Sequence, residues 1–270
     1  MMVGFYWTMI QNLNSTSLLN FKKVYDLIIV GSGPAALSLY FDLNDKMDIL
    51  MLEAGGALIS QESQNIYKGK ITGDPYNDLE TTRLRTLGGS ANHWGGMTRV
   101  LDKIDFNPRH DSQWPLQKNE IEEFSDRAKD FLGVQRSPHK DKILSDQIKK
   151  VVFEFAPKGQ LGIDYRKELE KHSNVLTNAY CTKFLMNEAN EVYAIEAQNT
   201  SHKKFQFKAE KFAVALGGME NSRFLLHNQD ILGKKFIRED GLLGHYWADH
   251  PHIYIGHMFG HQYDAFLDHE

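Results

Sequence analysis

The hydrophobic pattern near the start of the chain predicts a strand, a turn and a helix in direct succession. Residues 27–30 are all apolar, which is typical of a parallel strand covered on both faces. A helix is predicted over residues 34–44, because its apolar residues recur at helical spacing. These residues are Leu37, Tyr40 and Leu43. A glycine-rich turn separates the two elements, and their order indicates an α/β fold with a parallel sheet.

The second half of the chain has the pattern of strands. Three β-rich runs, separated by Asn, Glu and Ser turns, predict an antiparallel meander. They cover residues 175–186, 191–198 and 203–210. The next apolar run, 211–216, is predicted to be a buried strand that ends at Gly217, and a helix is predicted over 219–227. The predicted architecture is a Rossmann-like parallel sheet with an antiparallel meander.

The turn between the first strand and helix contains the residues that could bind a dinucleotide. Gly31 is suited to a tight turn, Ser32 follows it, and Gly33 would let a pyrophosphate approach the backbone. Ala36 would let the helix pack closely on the strand. Glu53 ends the next apolar run, close to the roughly 20-residue spacing expected for an acid that binds a ribose hydroxyl. The pattern predicts a dinucleotide site, and a glycine turn without a ligand is the alternative.

The acid also bears on which dinucleotide could bind. A carboxylate at Glu53 disfavours a 2′-phosphate and therefore NADP, but it does not separate FAD from NAD.

A second glycine-rich segment spans residues 88–96, with His93 and Trp94 between the glycines. Such a density of glycine suits neither a helix nor the interior of a regular strand. It is typical of backbone that passes close to a flat or charged group.

Composition excludes several classes of function. The chain has 270 residues, 41% hydrophobic and 24% charged, which is ordinary for a globular protein. Its net charge of −4 offers no basic surface for nucleic acid. The single cysteine, Cys181, excludes an internal disulfide. No apolar stretch has the length of a membrane span, and residues 1–10 lack the features of a secretion signal, so a cytoplasmic location is the default expectation.

Four segments together resemble the glucose-methanol-choline (GMC) oxidoreductases, a family of FAD enzymes. The segments are residues 26–36 with Glu53, residues 87–96, residues 212–226 and residues 244–251. The His93-Trp94 pair and the Ser-Gln-Trp-Pro stretch at 112–115 resemble the bacterial, pyranose-oxidase-like branch more than glucose oxidase.

The resemblance implies FAD as the cofactor and a set of residues around it. The glycine turn and Glu53 would hold the pyrophosphate and the adenosine ribose, residues 88–93 would run past the flavin ring, and Cys181 would meet the adenine through its main chain. The implied cofactor-binding residues are Gly31, Ser32, Gly33, Ala36, Glu53, Gly88, Gly89, Ser90, Asn92, His93, Cys181 and Gly217.

Several side chains have a purely structural interpretation as well as a functional one. His93 is either joined covalently to the flavin or a hydrogen-bonded loop histidine. Cys181 is otherwise a small buried hydrophobe, and Trp94 and Trp114 either wall the site or belong to the core. The six histidines between His245 and the chain end form no recognised metal motif, so no metal is expected.

The resemblance also implies a domain division and an activity. The implied division is an N-terminal extension at 1–23, an FAD-binding domain at 24–105 and 170–240, a helical insertion at 106–169 and the truncated start of a substrate domain at 241–270. The implied activity is oxidation of a CH–OH group of a sugar, polyol or other alcohol, with hydride transfer to the flavin and an unknown electron acceptor. The catalytic residues would lie beyond Glu270. A non-catalytic FAD-binding remnant and an NAD-dependent dehydrogenase are the alternatives.

Overall fold

The computed structural model describes residues 10–15, 21, 24–108, 114–171, 174–233, 241–249, 253–254 and 256. The strands are β1 (Ile10–Asn12), β2 (Tyr25–Val30), β3 (Ile49–Leu52), β4 (Met97–Thr98), β5 (Lys142–Ile143), β6 (Lys149–Lys150), β7 (Glu154–Phe155), β8 (Val175–Thr177), β9 (Tyr180–Met186), β10 (Val192–Gln198) and β11 (Lys204–Val214). The helices are α1 (Pro34–Leu43), α2 (Gln61–Asn65), α3 (Leu79–Thr82), α4 (Lys118–Glu122), α5 (Ser125–Leu132), α6 (Leu161–Asp164), α7 (Arg166–Leu169), α8 (Gly218–His227) and α9 (Gln229–Leu232). Short 3₁₀ turns cover Gly89–Asn92 and Lys103–Phe106.

A seven-stranded sheet organises the fold, in the order β1-β8-β3-β2-β11-β10-β9. The first five strands in this order run parallel to their neighbours. The last three form the antiparallel meander. The predicted Rossmann-like α/β architecture with a meander is therefore confirmed.

Strand β11 belongs to both halves of the sheet. Its first part pairs antiparallel with β10, from Lys204 to Lys208, and its second part pairs parallel with β2, from Ala209 to Val214. The two strands predicted over 203–210 and 211–216 are thus one continuous strand. This continuity joins the antiparallel meander to the parallel part of the sheet.

The prediction of a single strand over 175–186 is wrong, because two strands occupy this range. The chain turns at Asn178, which has φ +55, a left-handed conformation that asparagine tolerates better than most residues. β8 joins the parallel part of the sheet, whereas β9 forms the edge of the meander.

Two further elements differ from the sequence pattern. Residues 10–12, inside the segment predicted as an N-terminal extension, form β1 and pair with β8; three residues are too few for a recognisable period. The insertion at 106–169, predicted as helical, contains the short strands β5, β6 and β7 as well as helices such as α4 and α5. The domain division remains a prediction.

Alternate residues of β2 enter two apolar clusters on opposite faces of the sheet. Leu27 and Ile29 pack with α1, whereas Ile28 and Val30 pack with residues of the meander and α8. Fully burying one such side chain contributes about 1.5–3 kcal/mol. Coverage on both faces explains the uninterrupted apolar run, and it holds the carboxyl end of β2 in a fixed position beneath the site described next.

Candidate functional site

The turn between β2 and α1 is shaped by a glycine that no other residue could replace without strain. Gly31 has φ +105, and a Cβ added to it would lie 2.4 Å from the carbonyl oxygen of Ala215. The Gly31 N–H donates to the Leu52 carbonyl at 2.8 Å. Gly31 thus brings the ends of β2, β3 and β11 together.

Gly33 is open where Gly31 is crowded. It is the N-cap of α1 and has an ordinary φ of −71, and a Cβ added to it would meet no atom within 4 Å. α1 begins with Pro34 and has no side-chain cap, so the N–H groups of its first turn are left for another partner. An anion is the natural partner for such a helix end.

A second helix starts beside the first one. α8 begins after Gly217, which has φ +83, and it too lacks a side-chain cap. Because β2 and β11 are neighbours in the sheet, the two helices start at adjacent strand ends. Ligands of open α/β sheets bind in crevices at this edge.

Glu53 follows β3 and is buried, with 6% of its surface exposed. One carboxylate oxygen accepts the Ser32 hydroxyl at 2.5 Å, and the other accepts the Gly55 N–H at 2.6 Å. Burial raises the pKa of Glu53, while Ser32, Gly55 and the nearby Arg85 act in the opposite direction. Each carboxylate oxygen keeps a further lone pair for a ligand.

The second glycine segment lies directly over the first turn. The Gly88 N–H donates to the Ser32 hydroxyl oxygen at 3.0 Å. A Cβ on Gly89 would lie 3.5 Å from the Cα atom of Gly33, so the two backbones approach closely. The glycine density that marks this segment in the sequence therefore has a steric cause.

These elements enclose a cleft of about 830 Å³, within the range of small-molecule and cofactor sites. Seven of the twelve residues predicted to bind the cofactor line it. They are Gly31, Ser32, Gly33, Glu53, Gly89, Ser90 and Gly217. Trp94 also lines the cleft, and its indole N–H donates to the Gly159 carbonyl at 2.8 Å.

The other five predicted residues do not line this cleft. Ala36 is on the buried face of α1. Gly88 packs against Gly162, and a Cβ added to Gly88 would lie 2.3 Å from the backbone nitrogen of Gly162. The Asn92 side chain bonds the Leu87 carbonyl and the Gly162 N–H, so it holds the loop. The His93 side chain is exposed.

Cys181, the fifth of these residues, is buried beside a smaller cavity of about 260 Å³. Burial raises the pKa of its thiol, which disfavours the reactive thiolate. This cavity adjoins the cleft, because Ala54, Tyr67 and Arg83 line both.

A charged cluster between the two cavities was missed by the sequence analysis. Glu220 binds Arg83 at 2.6 Å and Arg223 at 2.7 Å. The Arg83 guanidinium lies over the Tyr67 ring at 4.2 Å, and burial raises the pKa of Tyr67 to about 12. Arg85 donates to the Ser63 hydroxyl at 2.7 Å. In the sequence, only Arg83 and Arg85 could have been connected with the site, because both directly precede the second glycine segment.

Part of the fourth segment closes the open side of the cleft. The Tyr76 hydroxyl donates to Asp249 at 2.6 Å, and the Trp247 ring packs edge-on against Tyr76 with centroids 5.0 Å apart. All three residues line the cleft. Of the histidines of the tail, His250, His252, His257, His261 and His269 lie outside the described residues.

Among the described residues there is neither a metal-binding cluster nor a membrane-spanning helix. Within the ranges given above, no group of three or more His, Cys, Asp and Glu side chains could hold a metal ion. In the same ranges, every helix is too short or too polar to cross a membrane. Trp114 does not line the cleft; its ring lies 5.9 Å from that of Phe106.

Comparison with known proteins gives a structural likeness only. No protein-family model matches the sequence, and no curated protein matches it either. The fold is similar to formate oxidase from Aspergillus oryzae RIB40, in two structures of variants studied for the effect of a mutation on FAD modification, at 14% and 13% identity with TM-scores of 0.47 and 0.46. A further formate oxidase structure matches at 14% identity with a TM-score of 0.46. Each match covers 77% of this chain and 48% of the other, so this chain spans about half the length of the structures that it resembles.

Proposed function

We propose that the cleft binds FAD, and that this chain is the cofactor-binding part of a flavin oxidoreductase acting on the CH–OH group of an alcohol, polyol or sugar. The observation that carries the proposal is the convergence of two uncapped helix N-termini, one buried acid and one glycine-rich loop on a single cleft. FAD requires these features together, because it presents an anionic pyrophosphate, a ribose and a flat ring system.

The pyrophosphate would bind at the start of α1. The open space beside Gly33 lets phosphate oxygens approach the free N–H groups of the first turn. The partial positive charge at the helix end favours an anion at this position. The residues present therefore fit the group.

The adenosine ribose would bind at Glu53. Its two oxygens are oriented by Ser32 and Gly55, and each retains acceptor capacity for a ribose hydroxyl. A 2′-phosphate would bring a second negative charge against the same carboxylate. This repulsion supports a cofactor without that phosphate.

The flat ring would lie along the second glycine segment. Gly89, Ser90 and Trp94 line the cleft beyond Gly33, and backbone without side chains permits the closest approach to a planar group. When bound, FAD would accept the hydride from the substrate carbon. Trp94 and Trp247 would limit the access of water to the ring.

No residue of the described cleft is proposed as the catalytic base. The Tyr76 hydroxyl lines the cleft, and its hydrogen bond to Asp249 raises the pKa of Tyr76, so it stays protonated at neutral pH. It would act by holding Asp249 and the adjoining segment over the cleft. The substrate class rests on the resemblance of the four sequence segments.

Identifying the cofactor of the purified chain tests the proposal. We expect a yellow protein from which acid precipitation releases FAD, identified by chromatography. NAD in the extract, or no nucleotide even after incubation with FAD, would contradict the proposal. The NAD-dependent dehydrogenase remains the alternative function, because Glu53 suits either ribose.

The same precipitation decides the state of His93. Its exposed side chain supports non-covalent FAD, and we expect the flavin in the supernatant. Colour that stays with the precipitate, and is lost in His93→Ala, would instead establish the covalent bond suggested by the sequence resemblance.

A further inference from the structure

One buried hydroxyl connects three separate segments of the cleft. Ser32 is 1% exposed and lies in the turn between β2 and α1. Its oxygen donates to Glu53, which follows β3, at 2.5 Å. The same oxygen accepts the N–H of Gly88, at the start of the second glycine segment, at 3.0 Å.

The two bonds have a defined direction. A backbone N–H can only donate, so Gly88 uses an acceptor lone pair of the Ser32 oxygen. The hydroxyl proton of Ser32 is donated to one carboxylate oxygen of Glu53, which accepts it. The Gly55 N–H likewise requires an acceptor on the other carboxylate oxygen. The network therefore favours Glu53 in its ionised, accepting form.

We propose that Ser32 is a positioning residue, which orients Glu53 for a ribose, favours its carboxylate form against the effect of burial and ties the second glycine segment to the same point. The role in ribose binding rests on the proposed function, whereas the action of Ser32 on Glu53 and Gly88 does not. Without the hydroxyl, Glu53 would lose a donor and the Gly88 N–H would lose its acceptor in a buried place.

Few groups around Glu53 favour its charge, so the hydrogen bond from Ser32 matters for the ionisation of Glu53. Burial opposes the charge, and the groups that face it are the N–H groups of Gly55 and Ala54, the Arg85 guanidinium, the Tyr67 hydroxyl and the Cys181 thiol. Of these, Gly55, Arg85 and Ala54 favour the carboxylate. Burial, and in addition the charge of Glu53, raises the pKa of Tyr67 and of Cys181, so neither group adds a second negative charge beside Glu53.

The ligand-free chain provides the first test, through stability as a function of pH. The pKa of Glu53 is raised in the folded state, so its contribution to stability is fully present below its ordinary pKa and is lost as pH rises through the raised value. Ser32→Ala should raise that pKa further. The stability difference between variant and parent should then be small below the raised pKa of Glu53 and grow as the pH rises through it.

The expected growth can be expressed as an equilibrium constant. For each additional unit of pKa in Ser32→Ala, the unfolding constant relative to the parent should rise about tenfold over this rise in pH. In a Glu53→Gln background the same substitution should have an effect that does not vary with pH. If Ser32→Ala does not fold, Ser32→Cys retains the size and a weak donor and should show a smaller trend of the same sign.

Binding provides the second test, with FAD as the probe. Ser32→Ala should weaken FAD binding by about tenfold or more, as expected for a lost hydrogen bond to a charged group. Its matched control is Ser38→Ala in the neighbouring helix α1, where the hydroxyl donates to the Ala35 carbonyl at the surface, and this variant should keep the parental affinity. In the Glu53→Gln background the loss caused by Ser32→Ala should largely disappear.

The outcomes separate this inference from the proposed function. A pH-independent stability difference in Ser32→Ala, equal in the presence and absence of Glu53, would overturn the role of Ser32 whether or not FAD binds. Failure of the parent chain to bind FAD would overturn the proposed function, and the pH dependence would still decide how Ser32 acts on Glu53.

Discussion

Gly33→Val is expected to weaken FAD binding strongly while leaving the fold intact. A Cβ added to Gly33 meets no protein atom within 4 Å, so the valine side chain would extend into the open space of the cleft. There it would separate the phosphate oxygens from the N–H groups at the start of α1. Losing two charge-assisted hydrogen bonds, at about 1.5–3 kcal/mol each, should weaken binding at least about 100-fold. Fluorescence titration with FAD measures this loss.

Gly159→Val is the matched control. Gly159 also has open space around an added Cβ and no left-handed φ, but it does not line the cleft. It should keep both the stability and the FAD affinity of the parent. Parental affinity in Gly33→Val would mean that the pyrophosphate binds elsewhere.

Gly31→Ala should have the largest effect on stability. Its φ of +105 is strained for any side chain, and the new Cβ would lie 2.4 Å from the Ala215 carbonyl oxygen. The left-handed backbone costs about 1–2 kcal/mol, and overpacking adds about 1–3 kcal/mol. Urea denaturation of the ligand-free protein should show a loss of about 2–5 kcal/mol.

Gly73→Ala separates the two causes of that loss. Gly73 has a similar φ of +95, but an added Cβ meets no atom within 4 Å. Gly73→Ala should therefore lower the free energy of unfolding only by the cost of a side chain in left-handed backbone, about 1–2 kcal/mol. Equal losses in the two alanine variants would show that the contact with Ala215 contributes nothing.

The parts of the fold predicted from the sequence are those with local causes. The apolar run of β2, the glycine turn and α1 follow from neighbouring residues and were predicted correctly. The continuity of β11 could not be predicted from the pattern, because its first half alternates polar and apolar residues, its end is apolar, and the two parts have different partner strands. The turn at Asn178 depends on the conformation of one residue within an otherwise β-rich run.

In the candidate site, too, the features with local causes could be predicted and those that depend on distant residues could not. The spacing of Gly31, Gly33 and Glu53 could be recognised because one strand–turn–helix–strand unit brings them together. The bond between Ser32 and Gly88 joins residues far apart in the chain, and no local pattern indicates it. The glycine density at 88–96 indicated a close approach, but not that Gly88 meets Gly162 whereas Gly89 faces Gly33.

The charged cluster of Arg83, Glu220 and Arg223 was missed by the sequence analysis for a related reason. Arg83 and Glu220 are remote in sequence, and charged residues of this kind usually lie on the surface. In the fold they meet between two cavities, where Glu220 is buried in the first turn of α8. Only the assembled sheet places these side chains together.

Equilibrium titration of the ligand-free parent chain with FAD tests the central claim most directly. Flavin fluorescence should be quenched to saturation at one FAD per chain. ADP, which carries the adenosine ribose and the pyrophosphate alone, should displace FAD by competing for Gly33 and Glu53. Absence of saturable FAD binding, or binding that ADP does not affect, would contradict the assignment of this cleft.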